Sequence, residues 1–431
     1  MYFVIETEEQ LSKLPKADRC FIDLISLSED NHPKLTSPCV LYYNDFEKGY
    51  IIPFNHTEGF SIGLEAIQTM LSSCSKVYLL DAKWHSYFLD LPSMVDVYFT
   101  ILDTDGSIKD FNCYTNIHND FYHKFKYLEQ VNTIIPISKH YERCECMFET
   151  VRPYIGKEGN LAWQNEFITA YKWVEEQGIK IDEKLFDKHF EPTWRPRSIR
   201  DGKIYTNYNL YNVTSRPTNA FNGINFLAFT KDNNSRSAFV PENDMFVEFD
   251  FDGYHLRLVA SLLNLDLPLD QSIHEYLGKQ YFAKDELTPE EYQESKKITF
   301  RQMYNGVEDR YKHIPLFASI ANFVEVMWTD YTKNGYVTLP NGRNIVQENA
   351  NPQKLFNYFI QCLETVNNVK KLNTLKDYLA DKKSKVLLVV YDSLLLDYSA
   401  EDQKGTLAQI KDILEADGYK VKAKKGYNYN F

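Results

Sequence analysis

Apolar and polar positions are patterned most sharply between Phe246 and Leu263, FVEFDFDGYHLRLVASLL. Phe246, Glu248, Asp250 and Asp252 share one face of an expected strand, and Val247, Phe249 and Phe251 share the other. Gly253 marks a tight turn, and the spacing beyond it predicts a helix. Carboxylates on one face of an apolar strand are costly unless cations or water receive them. A second carboxylate stands in a still more apolar run, residues 386–398, VLLVVYDSLLLDY. Apolar residues precede Tyr391, and leucines follow Ser393, so the pattern predicts a hairpin with Asp392 at its bend.

The rest of the chain divides by periodicity. Residues 1 to about 125 read as α/β, with strands at 21–27, 39–45, 49–55 and 76–81 and a helix at 64–74. Residues 126–190 read as helical, with Gly178 as a C-cap. Residues 194–219 form a basic stretch (Arg195, Arg197, Arg200, Lys203, Arg216) with interleaved Trp and Tyr, either a solvated loop or a phosphate-tracking surface. Lys296, Phe300 and Tyr304 recur every four residues and so lie along one helix face. Taken alone, that spacing equally suits an amphipathic helix with two core aromatics. A hairpin is predicted around Asn341 and Gly342, a helix over 356–366 with Asn357 and Gln361 one turn apart, and a helix over 405–418.

Composition adjusts this picture modestly. The 431 residues suffice for two or three domains, and 44 % hydrophobic with 25 % charged residues is ordinary globular usage. A net charge of −12 argues against a uniformly basic nucleic-acid coat, although the local distribution decides what a groove can bind. Seven cysteines are scattered without a CxxC pair, and no signal peptide is evident, which suits a reduced, intracellular (cytoplasmic) protein. No apolar run approaches the roughly 20 residues of a membrane span, so no membrane partner is expected.

Two strands that each present an aspartate suit two-metal phosphoryl transfer. From about residue 160 onward the order of motifs resembles the polymerase module of family-A (DNA polymerase I-like) DNA polymerases. The family's first motif, Asp-Tyr-Ser-Gln-Ile-Glu-Leu-Arg, stands here as Asp250 to Arg257. The second, Lys with an aromatic four later and Tyr eight later, stands as Lys296, Phe300 and Tyr304. The third, His-Asp-Glu between apolar runs, stands as Tyr391, Asp392 and Ser393. Further matches are Asp201-Gly202 followed by Thr214 to Arg216, His274 ahead of the lysine helix, Asn357 with Gln361, and Gly426-Tyr427-Asn428. The N-terminal region resembles, in order and spacing, a proofreading exonuclease of the DnaQ type whose chemistry has decayed. Asp23 and Glu145 remain of four carboxylates; Ile25 fills one place, and Asp81 and His85 stand where the family has an Asn and a later Asp.

The resemblance implies an α+β, multidomain chain. An N-terminal α/β RNase H-like, exonuclease-like domain (1–150) would precede a reduced thumb or connector (151–200). A right-hand polymerase module would follow: first part of the palm (201–265), reduced helical fingers (266–345) and second part of the palm (346–431), with an antiparallel palm sheet. Only 22 residues separate Gly178 from Asp201, too few for a long helical thumb, so processivity would depend on the N-terminal domain or a replisome partner. The implied activity is template-directed extension of a primer 3′-hydroxyl with dNTPs on primer-template DNA, without effective proofreading. Motif drift and small size suit a phage or mobile element.

By the same resemblance Asp250 and Asp392 would hold two Mg²⁺ ions, with Mn²⁺ able to substitute, and Lys296 would meet the triphosphate. His274 would touch a phosphate, Phe300 would pack on the sugar and base, and Tyr304 would flank the nascent pair. Arg216, Asn357 and Gln361 would approach the minor groove of the primer terminus, where the acceptors are common to all base pairs. Arg257 is first a support of the palm and second a DNA contact. Three departures bear on specificity. His255 replaces the Glu that limits acceptance of a ribose 2′-hydroxyl, Tyr292 replaces an Arg for which Arg301 or Lys297 would substitute, and Ser393 replaces the third-motif Glu. They keep open a sugar-tolerant or RNA-synthesising polymerase or primase. A non-catalytic factor that binds primer-template is the alternative outside enzymes.

Overall fold

The computed structural model describes residues 3–28, 32–59, 62–106, 130–190, 199–219, 225–226, 234–346, 349–403 and 405–431. The chain forms two compact units, one built mainly from residues up to Ile168 and the other mainly from Thr169 onward.

The first unit is organised on a six-stranded mixed sheet. Its strands are β1 (Phe3–Val4), β2 (Arg19–Ser26), β3 (Pro38–Asn44), β4 (Gly49–Pro53), β5 (Lys76–Leu79) and β6 (Met94–Asp96), in the order β1-β4-β3-β2-β5-β6. Pairing is antiparallel for β2 with β3 and for β3 with β4, and parallel elsewhere. β3 and β4 are buried along their whole length, which is why they read as continuous apolar runs rather than as alternating ones. Helix α1 (Leu64–Leu71) lies between β4 and β5 in the chain, and α2 (Ile137–Val151) sends Cys144, Met147 and Phe148 into a core with Phe21, Tyr42 and Tyr78. β1 and β6 are too short to carry a period-two signal, and the sequence pattern passes over both.

The second unit carries a four-stranded antiparallel sheet of β7 (Met245–Phe251), β8 (Lys385–Val390), β9 (Ser393–Tyr398) and β10 (Val421–Gly426), in the order β8-β9-β7-β10. The expected strand at 246 and the hairpin at 386–398 are both present. β10, sequence VKAKKG, is an exposed edge strand. Its lysines suit an edge that must not recruit another strand, and they also hide it from a search for hydrophobic alternation.

The helices that position the site are α3 (Tyr254–Leu262), α4 (Ile273–Phe282), α5 (Pro289–Asn305), α6 (Pro315–Asn334), α7 (Pro352–Tyr378) and α8 (Thr406–Glu415). α5 starts where local chemistry directs it, with Thr288 and Glu291 closing a capping box and Pro289 in the first turn. α7 starts the same way, from an Asn351 cap followed by Pro352, and runs for 27 residues. Leu256, Ile273, Leu277, Met303, Phe317 and Ile360 join α3 to α7 in one core. Between β7 and α3, Gly253 adopts φ 59°, the left-handed turn for which glycine is the natural residue. A Cβ there would lie 2.2 Å from Cγ2 of Ile273.

Candidate active site

Asp250, in β7, and Asp392, in the turn between β8 and β9, meet at one end of the second sheet. Asp250 pairs in register with Ser393, and the Phe251 N–H donates to the Asp392 carbonyl at 3.0 Å. Tyr391 at φ 56° and Asp392 form the bend of the hairpin, with Val390 opposite Ser393. Burial, followed by the charges of Asp250 and Glu364, pushes the Asp392 carboxyl up to about 6. The Asp250 charge beside Asp392 is thus a repulsion within the site, of the kind that a cation relieves.

Asp250 and Asp392 line a cavity of about 350 Å³ together with Lys296, Phe300 and Tyr304 of α5 and His274 of α4. The helix-face spacing is therefore a cavity face. Phe300 is 47 % exposed, which is incompatible with its reading as a core aromatic. Its ring lies parallel to that of Tyr304, with centroids 6.1 Å apart, and 5.3 Å from that of His274. The Lys296 ammonium stands 4.6 Å from the centre of the Tyr292 ring. Burial, then the Lys296 charge, lowers His274 to about 4, so it is neutral at physiological pH. His274 Nδ1 is buried and makes no hydrogen bond.

A polar network closes the cavity beside the tyrosine. His255 is hydrogen-bonded through Nδ1 to the Tyr304 hydroxyl at 2.6 Å and through Nε2 to the Glu364 carboxylate. Arg216 holds the same carboxylate in a two-pronged contact at 3.2 and 3.0 Å, and its guanidinium lies 3.9 Å from the centre of the Tyr391 ring. Glu364 is 2 % exposed, so these partners take the place of water around its carboxylate. Sequence reasoning passed over it, yet a signal existed. Asn357, Gln361, Glu364, Asn368 and Lys371 follow one another at intervals of four and three, a polar stripe along α7. The stripe is used: Asn368 accepts from the Tyr254 hydroxyl at 3.0 Å and donates to the Tyr391 carbonyl at 3.1 Å.

Four other sequence-selected residues stand apart from the cavity lining. Arg301 reaches Glu308 at 3.1 Å. Arg257 is buried and bonded to Asp252 and to the carbonyls of Asp252, Pro268 and Gln271. Asn357 donates to the Tyr304 carbonyl at 3.3 Å, tying α7 to the end of α5, and Gln361 lies one turn further along α7. Arg195 and Arg197 lie outside the described residues.

In the first unit, Asp23 accepts a hydrogen bond from the Cys144 thiol at 3.3 Å and lies 4.0 Å from His85 Nε2. His85 is fully buried, its Nε2 receiving the Leu24 N–H at 3.1 Å, and burial lowers its pKa. Glu145 accepts from the Tyr42 hydroxyl. Asp81 caps a short helix through the Trp84 N–H. Ile25 is buried in the sheet core.

No family model matches the chain, and no curated protein matches it. Among solved structures it is similar to the structure described as the POL domain of Pol1 from M. smegmatis in complex with DNA primer-template and dNTP. The TM-score is 0.75 at 13 % identity, over 100 % of this chain and 99 % of that one. At that identity the likeness shows the fold, and the fold is that of a polymerase domain.

Proposed function

We propose that the chain is a template-directed DNA polymerase that extends a primer 3′-hydroxyl with dNTPs. One observation carries the reading: Asp250 and Asp392, at adjoining strand ends, share a cavity with Lys296, Phe300 and Tyr304 on one helix face. The neighbour's fold supports it.

Among the described residues no group of three or more His, Cys, Asp and Glu side chains is arranged to hold a metal ion. The donor set is instead a pair of carboxylates, which suits Mg²⁺, an ion commonly held by one or two carboxylates together with substrate phosphates. The raised Asp392 fits the same role, since a cation would relieve its repulsion from Asp250. The chemistry supplied by such ions is a lowered pKa at the attacking hydroxyl and neutralised charge at the leaving pyrophosphate. Lys296 meets the triphosphate as a point charge, and its ammonium can donate a proton as pyrophosphate leaves. Neutral His274 offers its unpartnered nitrogen to a phosphate oxygen. Phe300 and Tyr304 give the base and sugar a flat wall and keep water from the reacting phosphorus.

One observation favours a second reading, polymerisation that tolerates ribose. His255 stands where the related motif has a carboxylate and is held by Tyr304 and Glu364. For the first unit we propose that proofreading is lost, because Asp23 and Glu145 are what remains of the related motif's four carboxylates, too few for two metal ions, and each is hydrogen-bonded, to Cys144 and Tyr42 respectively. Grip on the duplex then falls to this unit or to a replisome partner. No described helix is long and apolar enough to cross a membrane.

Primer extension with the wild-type chain, Asp250→Ala and Asp392→Ala, each with dNTPs and with NTPs, tests the proposal. Synthesis by the wild type alone is expected, with dNTPs preferred. Equal use of both nucleotide sets moves the reading to a sugar-tolerant enzyme. Primer-template binding without synthesis, indifferent to both substitutions, refutes catalysis.

A further inference from the structure

The polymerase reading assigns no role to the last strand, yet that strand contributes a side chain to the cavity. Lys422 of β10 is the register partner of Asp250 on β7, and Asp250 is in turn the partner of Ser393 on β9. Residues directly opposite in antiparallel strands point to the same face, with Cβ atoms about 4.5–5.5 Å apart. Lys422, Asp250 and Ser393 therefore form a row across three strands, and Lys422 lines the same cavity as Asp250 and Lys296.

Lys422 faces Asp250 across the row, and on its Asp252 side cations outnumber carboxylates. Lys422 bonds Asp252, and the same carboxylate is held by Arg257 at 3.3 Å. Two cations on one carboxylate leave a net positive charge. Arg257 is 4 % exposed, whereas the Lys422 side chain is 61 % exposed, so the surplus charge is presented by the lysine. An ammonium has three donors, and Asp252 occupies one of them. Lys296 approaches from the helix side, and Tyr292 lies within reach of both lysine charges. His274 is 7 % exposed, feels both ammonium groups and keeps an unpartnered Nδ1. One end of the cavity is thus cationic, and the Asp250–Asp392 end is anionic. That polarity matches a ligand with several phosphates whose inner phosphate is bridged to carboxylates by divalent cations.

We propose that Lys422 is a polyphosphate-binding residue, which holds the outer phosphates of the incoming nucleotide, and then pyrophosphate, from the sheet side while Lys296 holds them from the helix side. The assignment rests on the polymerase reading for the identity of the ligand, but the cationic end stands on geometry alone. Lys422 leaves Asp252 paired with Arg257 when it swings to the phosphates, so no buried carboxylate is stranded.

The test uses the full chain and variants Lys422→Ala, Lys422→Met and Lys422→Arg, with Met retaining the apolar stem. Calorimetric titration with Mg²⁺-pyrophosphate, dATP and dAMP reads binding without turnover. Loss of one charge-assisted contact should weaken pyrophosphate and dATP about tenfold or more in the Ala and Met variants. The Arg variant should stay within about threefold, and dAMP should be unaffected in all three, because the monophosphate lacks the outer phosphates that the lysine holds. In primer extension the KM for dNTP should rise by the same factor, with kcat within about threefold. Melting temperatures should stay within about 2 °C, as expected for an exposed side chain. Pyrophosphate binding unchanged in folded Ala and Met variants overturns the assignment, as does equal weakening of dAMP and dATP. If the wild type extends no primer but binds pyrophosphate through Lys422, the site stands and the polymerase reading falls. If extension proceeds and Lys422→Ala behaves as wild type, the assignment falls alone.

Discussion

Replacing Asp392 by asparagine should stabilise the metal-free protein while abolishing synthesis. The substitution keeps the side chain's shape and removes its charge. In the fold the carboxyl titrates at about 6 instead of 3.8, because burial and the neighbouring Asp250 and Glu364 disfavour ionisation. A rise of about 2 units corresponds to about 3 kcal/mol of unfavourable interaction at 1.36 kcal/mol per unit. The hairpin turn is nonetheless exposed to solvent, and water screens part of the repulsion, so the effect should be ~1 kcal/mol. An acid whose folded pKa is raised destabilises the fold where it is ionised. The cost is full above pH 6, declines as pH falls through the window between the two values, and vanishes below 3.8. In EDTA at pH 7.5, Asp392→Asn should therefore melt about 2–4 °C above wild type, and the gap should narrow by pH 5. Mg²⁺ should raise the wild-type melting temperature and leave the variant nearly unmoved, since ligand linkage requires the carboxylate pair. Primer extension should drop by about 10³-fold or more. A variant that melts at or below wild type in EDTA at pH 7.5, or a gap that is the same at both pH values, refutes the electrostatic account.

Two further substitutions follow from the cavity wall and the turn. His255→Glu alone sets a second carboxylate against buried Glu364 and should lose about 3–5 kcal/mol in urea unfolding; adding Glu364→Gln should recover much of it and sharpen the preference for dNTPs over NTPs. Gly253→Ala places a Cβ 2.2 Å from Ile273 at φ 59° and should lose about 2–4 kcal/mol by the same measurement; in an Ile273→Ala background, itself destabilised by the lost core packing, the same change should cost only the dihedral, about 1–2 kcal/mol.

The candidate site was legible in the sequence where chemistry and periodicity coincide. Asp250 and Asp392 stand out because a charge in an apolar strand is costly, and Lys296, Phe300 and Tyr304 because helical spacing aligns them. Glu364 was obscured because a glutamate in a helix is ordinary, and only its depth, 2 % exposed, makes it informative. Lys422 was obscured for the opposite reason. Its strand has almost no apolar signal, since β10 is held by hydrogen bonding along β7 rather than by burial. The first unit's sheet was readable from its apolar runs, but β1 and β6 were invisible because two or three residues cannot display a period. Arg257 and Arg301 show the remaining gap: sequence assigns a guanidinium no partner, and the fold gives one to Asp252 and the other to Glu308.

The bond from the Phe251 N–H to the Asp392 carbonyl fastens the hairpin bend to the neighbouring strand. Because both aspartates hang from a paired backbone, their separation is inherited from the ladder and owes little to surrounding side chains. Most substitutions in flanking helices would then leave the pair in place, and sequence can drift widely around it without loss of the centre. Insertions and deletions are a different class of error. One residue added within β9 reverses the face of everything on one side of it, so damage there arrives in whole steps rather than by degrees. Such a centre should be unusually tolerant of substitution and unusually intolerant of a change in length.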